Sequence, residues 1–156
     1  MSNNGNYEIL VEGLRTSAGL HDETLLTQGE IATVIYCEYG KLKQASIDSH
    51  IGYKALSQYK RVVEFYNNST RVEIGNSNAR LILASLDTLH FSHLRIAMGL
   101  GDYEEAMEAI HQAADEAMTT RELERHIAKI HRKNGTTPKR YIIDNDRGLK
   151  VTITRY

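Results

Sequence analysis

The chain has one cysteine, Cys37, and one proline, Pro138, in 156 residues. A lone thiol excludes an intrachain disulfide. A chain this long buries a core without one, which fits a reducing compartment such as the cytoplasm. No apolar run approaches the roughly 20 residues that a membrane span needs. Met1 to Tyr7 lacks the basic-then-apolar order of a secretory signal. Internal repeats and low-complexity stretches are missing too. So are a Gly-x-Ser-x-Gly nucleophile turn, a glycine-rich phosphate loop and a His-Glu-x-x-His metal motif, and an enzyme is therefore not expected. Seven histidines leave that expectation in place. The nearest pairs, His90 with His93 and His126 with His131, have no third ligand close in sequence, and Cys37 stands apart from both. Neither a metal nor another cofactor is expected.

What is present is ordinary globular material, 41% hydrophobic and 25% charged. The formal net charge of −1 argues at first against a nucleic-acid partner. Its distribution argues otherwise. Residues 40–71 hold six Lys/Arg and two acids, net +4, and residues 119–156 hold ten and four, net +6. The rest holds three Lys/Arg and fourteen acids, net −11. Two basic segments are masked by two acidic ones, and they offer a surface to an anionic partner.

The periodicity is mainly helical. Apolar spacing predicts a short helix over Tyr7–Leu14 and a longer one from an Asp22 cap to about Tyr39, with Gly40 as the stop. Leu42–Ile51 and Tyr53–Tyr66 read as two helices broken by Gly52, and 67–76 as a loop. Further helices are expected from Ser77 or Asn78 through Leu89, from a Ser92 cap to Gly99–Gly101, and from an Asp102 cap through Ala117. Thr119 with Glu122 is a capping box, which opens a helix to about Lys133 ended by Asn134-Gly135. After Pro138, Tyr141–Ile143 and Leu149–Thr154 flank a turn-rich Asp144–Gly148, a β-hairpin pattern. The expected fold is mainly α, a multi-helix helix-turn-helix core with a C-terminal β-hairpin. Residues 1–20 form an N-terminal segment, 21–134 the helical domain with its helix-turn-helix at about 42–66, and 135–156 the hairpin, a candidate dimerisation element.

Two constellations carry chemistry. Two helices joined by a tight glycine-containing turn, the second polar and basic, form the helix-turn-helix pattern. The second helix offers Tyr53, Lys54, Ser57 and Gln58 for base edges, and Lys60 and Arg61 for phosphates. The helix after the capping box repeats Arg121, Arg125, Lys129 and Arg132 at three- and four-residue steps, opposite Leu123, Ile127 and Ile130. Such a stripe suits the phosphate backbone.

With these residues in view, Leu42 to Lys133, about 60% of the chain, resembles the DNA-binding region of ParB/KorB-type partition proteins. Ile51-Gly52 stands where that family has Ile-Gly before its recognition helix. Leu89-His90-Phe91-Ser92-His93-Leu94-Arg95-Ile96-Ala97 is similar to its Leu-Ser-x-Gly-His-Ala-Arg-Ala-Leu segment, with Ser92 in place of the glycine. Thr119-Thr120-Arg121-Glu122-Leu123-Glu124 is similar to its Ser-Val-Arg-Glu-Leu-Glu. The family's nucleotide-binding module, with its Gly-Glu-Arg-Arg-like motif, has no counterpart here, so CTP binding and clamp sliding are not implied. The resemblance implies a helical DNA-binding core and dimerisation through a C-terminal element. The expectation is a sequence-specific double-stranded DNA binder of plasmid or phage type, serving partition or transcriptional regulation as a homodimer. The alternative is a non-enzymatic adaptor or inhibitor, such as a phage-encoded anti-defence protein.

Overall fold

The computed structural model describes residues 3–17, 21–68 and 71–135. The hairpin expected over Tyr141–Thr154 lies outside them. Among the described residues there are eight α-helices and no strand. They belong to two compact units, divided between Ser85 and Leu86. The single helical domain expected over 21–134 is therefore two units, and the expected N-terminal segment belongs to the first.

The first unit contains α1 (Asn3–Thr16), α2 (Asp22–Tyr39), α3 (Leu42–Ser49), α4 (Tyr53–Asn67) and α5 (Asn78–Ser85). Tyr7, Val11 and Leu14 of α1 recur at helical spacing and are buried with Ile31, Ala32 and Ile35 of α2, Leu42 and Ala45 of α3, and Leu56 of α4. Burying each of the larger aliphatic side chains is worth roughly 1.5–3 kcal/mol, so α1 is core rather than appendage. Polar bonds fix its register. The Tyr7 hydroxyl donates to Asp48 Oδ2 at 3.0 Å, and Arg15 Nε to the Asp48 carbonyl at 3.0 Å. Burial, with the bond to Asp48, pushes the Tyr7 pKa up to about 12.

α2 and α4 form the main packing layer. They approach closely at Gly29, where an added Cβ would stand 2.6 Å from the Tyr59 carbonyl oxygen and 2.7 Å from Val63 Cγ2. One residue on, the fully buried Glu30 carboxylate collects the loop after α4 and the start of α5. It accepts from Gly75 N, Ser77 Oγ and Arg80, the last through both Nε and Nη2.

Two helix starts and one helix end differ from the sequence expectation. His21 rather than Asp22 precedes α2, and His90 rather than Ser92 precedes α6 (Phe91–Ala97). α5 stops at Ser85, although Leu86 and Leu89 continue its apolar spacing, because Leu89 is buried in the second unit.

The second unit contains α6, a 3-10 turn at Met98–Leu100, α7 (Tyr103–Asp115) and α8 (Thr120–Asn134). The caps at α7 and α8 are as the sequence predicts. Asp102 accepts from Glu105 N at 3.0 Å. Thr119 Oγ1 accepts from Glu122 N at 3.1 Å while Thr119 N donates to Glu122 Oε1 at 2.9 Å. Gly135 closes α8 in the left-handed conformation, φ 71°. Buried His93 ties the unit together. Its Nδ1 accepts from His90 N at 3.0 Å, which leaves Nε2 to donate to the Met118 carbonyl at 2.9 Å, just before α8.

Candidate nucleic-acid interface

α3 and α4, joined by a three-residue connection, are the two helices expected to form a helix-turn-helix. Gly52 does not supply the turn's left-handed residue. His50 does, with φ 62°, and its N–H closes α3 onto the Ile47 carbonyl at 3.3 Å. Histidine is among the residues that reach this region more often than most. Gly52 has φ −56° and ψ 140°, available to any residue, and an added Cβ there would meet nothing within 4 Å.

At about 100° per residue, Tyr53, Lys54, Ser57, Gln58 and Arg61 share one face of α4, spanning about 140° of its circumference. Tyr53, Lys54, Gln58 and Arg61 are exposed and Ser57 is half-buried. The opposite face carries Leu56, Val62, Val63 and Tyr66 into the core. Lys60 leaves the predicted set. It lies one helical turn after Leu56 and is 9% exposed. Its ammonium binds Glu64 at 2.9 Å and stands 4.2 Å from the centre of the Tyr36 ring. A cation held by a carboxylate and an aromatic face serves the fold, not a phosphate.

The acids of this region are engaged as well. Asp48 accepts from Tyr7 and, at 2.8 Å, from Gln44, and Glu64 is held by Lys60. Arg71 is paired with Glu38 at 2.8 Å. Lys43, Lys54 and Arg61 take no ion-pair partner among the described residues. Lys43 on α3 and Lys54 and Arg61 on α4 therefore reach solvent as three unpaired cations.

In the second unit, Arg121, Arg125, Lys129 and Arg132 are all exposed and fall within about 80° of the α8 circumference. Leu123 and Ile127 are buried and Ile130 is half-buried on the other side. Like charges at i, i+4 cost a few tenths of a kcal/mol per pair. Arg121 with Arg125 and Arg125 with Lys129 both carry that cost. α7 of the same unit exposes Glu104, Glu105, Glu108 and Asp115.

The prediction missed the buried Glu30–Arg80 pair and the strut role of His93. No local signal marks Glu30, whose partners lie 45 to 50 residues away. Lys60 was legible, since the Leu56–Val63 phase places it on the buried side.

The other candidate sites have little geometry. A shallow cleft lined by Thr33, Val34, Cys37, Glu38, Glu64, Arg71 and Val72 has its charged groups already paired. Among the described residues no three His, Cys, Asp or Glu side chains converge as metal ligands, and no helix is long and apolar enough to cross a membrane. No protein-family profile, curated protein or solved structure matches this chain.

Proposed function

We propose that this chain is a sequence-specific double-stranded DNA-binding protein of the kind used in partition or transcriptional regulation. The observation that carries it is the outer face of α4. It presents Tyr53, Lys54, Ser57, Gln58 and Arg61 together, with a helix-turn-helix behind them and no free carboxylate among them. In this motif the start of the second helix reads base edges in the major groove. Gln58 pairs bidentately with adenine, Lys54 reaches guanine O6 or N7, and Arg61 reaches a phosphate. The cationic face of α8 adds Arg121, Arg125, Lys129 and Arg132 as contacts to phosphate. The resemblance to ParB/KorB-type partition proteins supports the same role, and a homodimer reads two half-sites about one DNA turn apart.

The deciding experiment is selection of bound duplexes from a random pool, followed by a salt titration. A recovered palindromic motif supports recognition by a dimer. Affinity falls linearly with salt on logarithmic axes, because each phosphate contact releases a counterion. If no duplex is bound at ~50 mM salt, a regime that favours phosphate contacts, the proposal fails. The acidic face of α7 favours a second reading in that event, an adaptor docking a basic protein.

The two helix faces divide the work. Gln58→Ala abolishes preference at one base position and costs specific binding about 1–3 kcal/mol. Lys129→Ala weakens all duplexes alike and lowers the salt slope by about one. Equal loss of specific and non-specific binding in both variants overturns that division.

A further inference from the structure

Two features at the start of α4 have no explanation inside the first unit. Tyr53 is 47% exposed at the first position of the helix. The other strongly exposed aromatic among the described large side chains, Tyr36, has its ring covered by the Lys60 ammonium. Tyr53 has no hydrogen-bond or ring partner among the described residues. It is also a poorer helix former than the residues that usually fill exposed helical positions. The second feature is Gly52, immediately before it. Neither its φ nor its surroundings call for glycine. What glycine still offers there is close approach of another molecule to the backbone. An unpartnered aromatic ring beside an unobstructed backbone marks a contact from outside.

Resting on the DNA-binding reading above, we propose that Gly52 and Tyr53 form a thymine-reading step. Gly52 lets the groove edge come up to the backbone, and the Tyr53 ring covers the C5-methyl of a thymine. That methyl is the apolar group that a base edge presents in the major groove, and apolar side chains are its natural partners. The charge around the step suits that occupant. Lys54 follows directly and Arg61 lies on the same face, while Asp48 and Glu64 are held by internal bonds. The half-site therefore contains a thymine whose recognition is hydrophobic, next to the positions that Lys54 and Gln58 read by hydrogen bonding.

Deoxyuridine differs from thymidine by that methyl alone, which makes it the probe. In the selected duplex each thymine is replaced in turn by deoxyuridine, and binding is measured for the wild type, Tyr53→Phe, Tyr53→Ala and Gly52→Ala. One replacement is expected to weaken wild-type binding about fourfold, the worth of one buried methyl. Tyr53→Phe keeps that difference, because the ring does the covering. Tyr53→Ala binds thymine and uracil duplexes equally. Gly52→Ala keeps its urea midpoint yet binds duplex about tenfold more weakly, as the extra carbon blocks the approach. The proposal is overturned if wild type is indifferent to every replacement, or if the selected half-site has no thymine. It is overturned also if Tyr53→Ala retains the penalty, or if Tyr53→Phe loses binding without thymine–uracil discrimination, which would assign the hydroxyl to a phosphate. Failure to bind any duplex overturns the DNA-binding reading itself. Normal duplex selection with uracil indifference overturns this step alone.

Discussion

Gly29→Ala is expected to destabilise the first unit by about 2–3 kcal/mol, the reverse of what the substitution does in an ordinary helix. In an exposed helix interior, alanine is favoured over glycine by about 1 kcal/mol. At Gly29 the added methyl would sit 2.6 Å from the Tyr59 carbonyl oxygen, 2.7 Å from Val63 Cγ2 and 3.0 Å from the Tyr59 carbonyl carbon. Two of those three atoms are backbone, so no rotamer change clears them. α2 and α4 must move apart instead, and with them the packing of Leu56, Val62 and Val63, all fully buried on α4. Overpacking of this kind costs about 1–3 kcal/mol, and more when backbone must shift. Gly13→Ala is the internal control. Its Cβ would meet the Ile31 Cδ1 methyl at 3.0 Å, the far end of a flexible side chain. That variant should stay within about 0.5 kcal/mol of wild type, the helix-propensity gain offsetting a small repacking. Urea unfolding followed by far-UV circular dichroism compares the two. A Gly29→Ala midpoint at or above the wild-type value would mean that α2 and α4 are not in this contact.

Gly29 also shows where the sequence stopped being informative. Within α2 it reads as a mild helix flaw, since its reason lies on another helix 30 residues later. Helix order was legible because apolar spacing and end signals are local. Asp102, Thr119 with Glu122, Gly40 and Gly135 all act at the helix ends where the sequence puts them. The segments that carry the resemblance to partition proteins stand at the starts of α4, α6 and α8. They record the grammar of helix starts along with any ancestry. The division after Ser85 was not legible, because Leu86 and Leu89 keep the spacing of α5 while Leu89 is buried elsewhere. At the candidate interface the polar face of α4 was legible by phase. The same phase sets Lys60 on the buried side, but the Tyr36 ring that receives its ammonium is an α2 residue brought near only by the fold. The availability of Lys54 and Arg61 likewise depended on Tyr7 and Gln44 engaging Asp48, and on Lys60 engaging Glu64.

The largest loss is expected at Glu30. Glu30→Ala should cost about 3–5 kcal/mol, the usual result of removing one partner from a buried ion pair. The carboxylate is fully buried. It accepts from Gly75 N at 2.8 Å, Ser77 Oγ at 2.6 Å, Arg80 Nε at 3.0 Å and Arg80 Nη2 at 2.8 Å. Arg80 also binds Thr27 Oγ1 at 3.1 Å and the Glu23 carboxylate. Alanine leaves the Gly75 and Ser77 donors without their buried acceptor and strips Arg80 of its principal counter-charge. Glu30→Gln keeps the shape but turns an amide N–H₂ toward groups that are themselves donors. It should fall between alanine and wild type.

The pH dependence separates charge from packing. Burial alone would raise the Glu30 pKa, but the bonds from Arg80, Ser77 and Gly75 outweigh it and hold the carboxyl below its ordinary 4.5. A carboxylate with a depressed folded pKa contributes stability that is complete above the unfolded value. That contribution is lost as pH falls from there through the folded value. Wild type should therefore lose stability below about pH 4.5 faster than Glu30→Gln, and the two unfolding curves should converge in acid. Curves that stay parallel from neutral pH down to about pH 3 would show that the Glu30 charge contributes nothing, and the lock on α5 would then be packing alone. Converging curves would place the attachment of the 71–77 loop and α5 on one buried carboxylate. That carboxylate sits beside the glycine that sets how closely α4 approaches α2. The helix proposed to meet DNA would then be positioned by two adjacent residues, Gly29 and Glu30, both buried inside the unit.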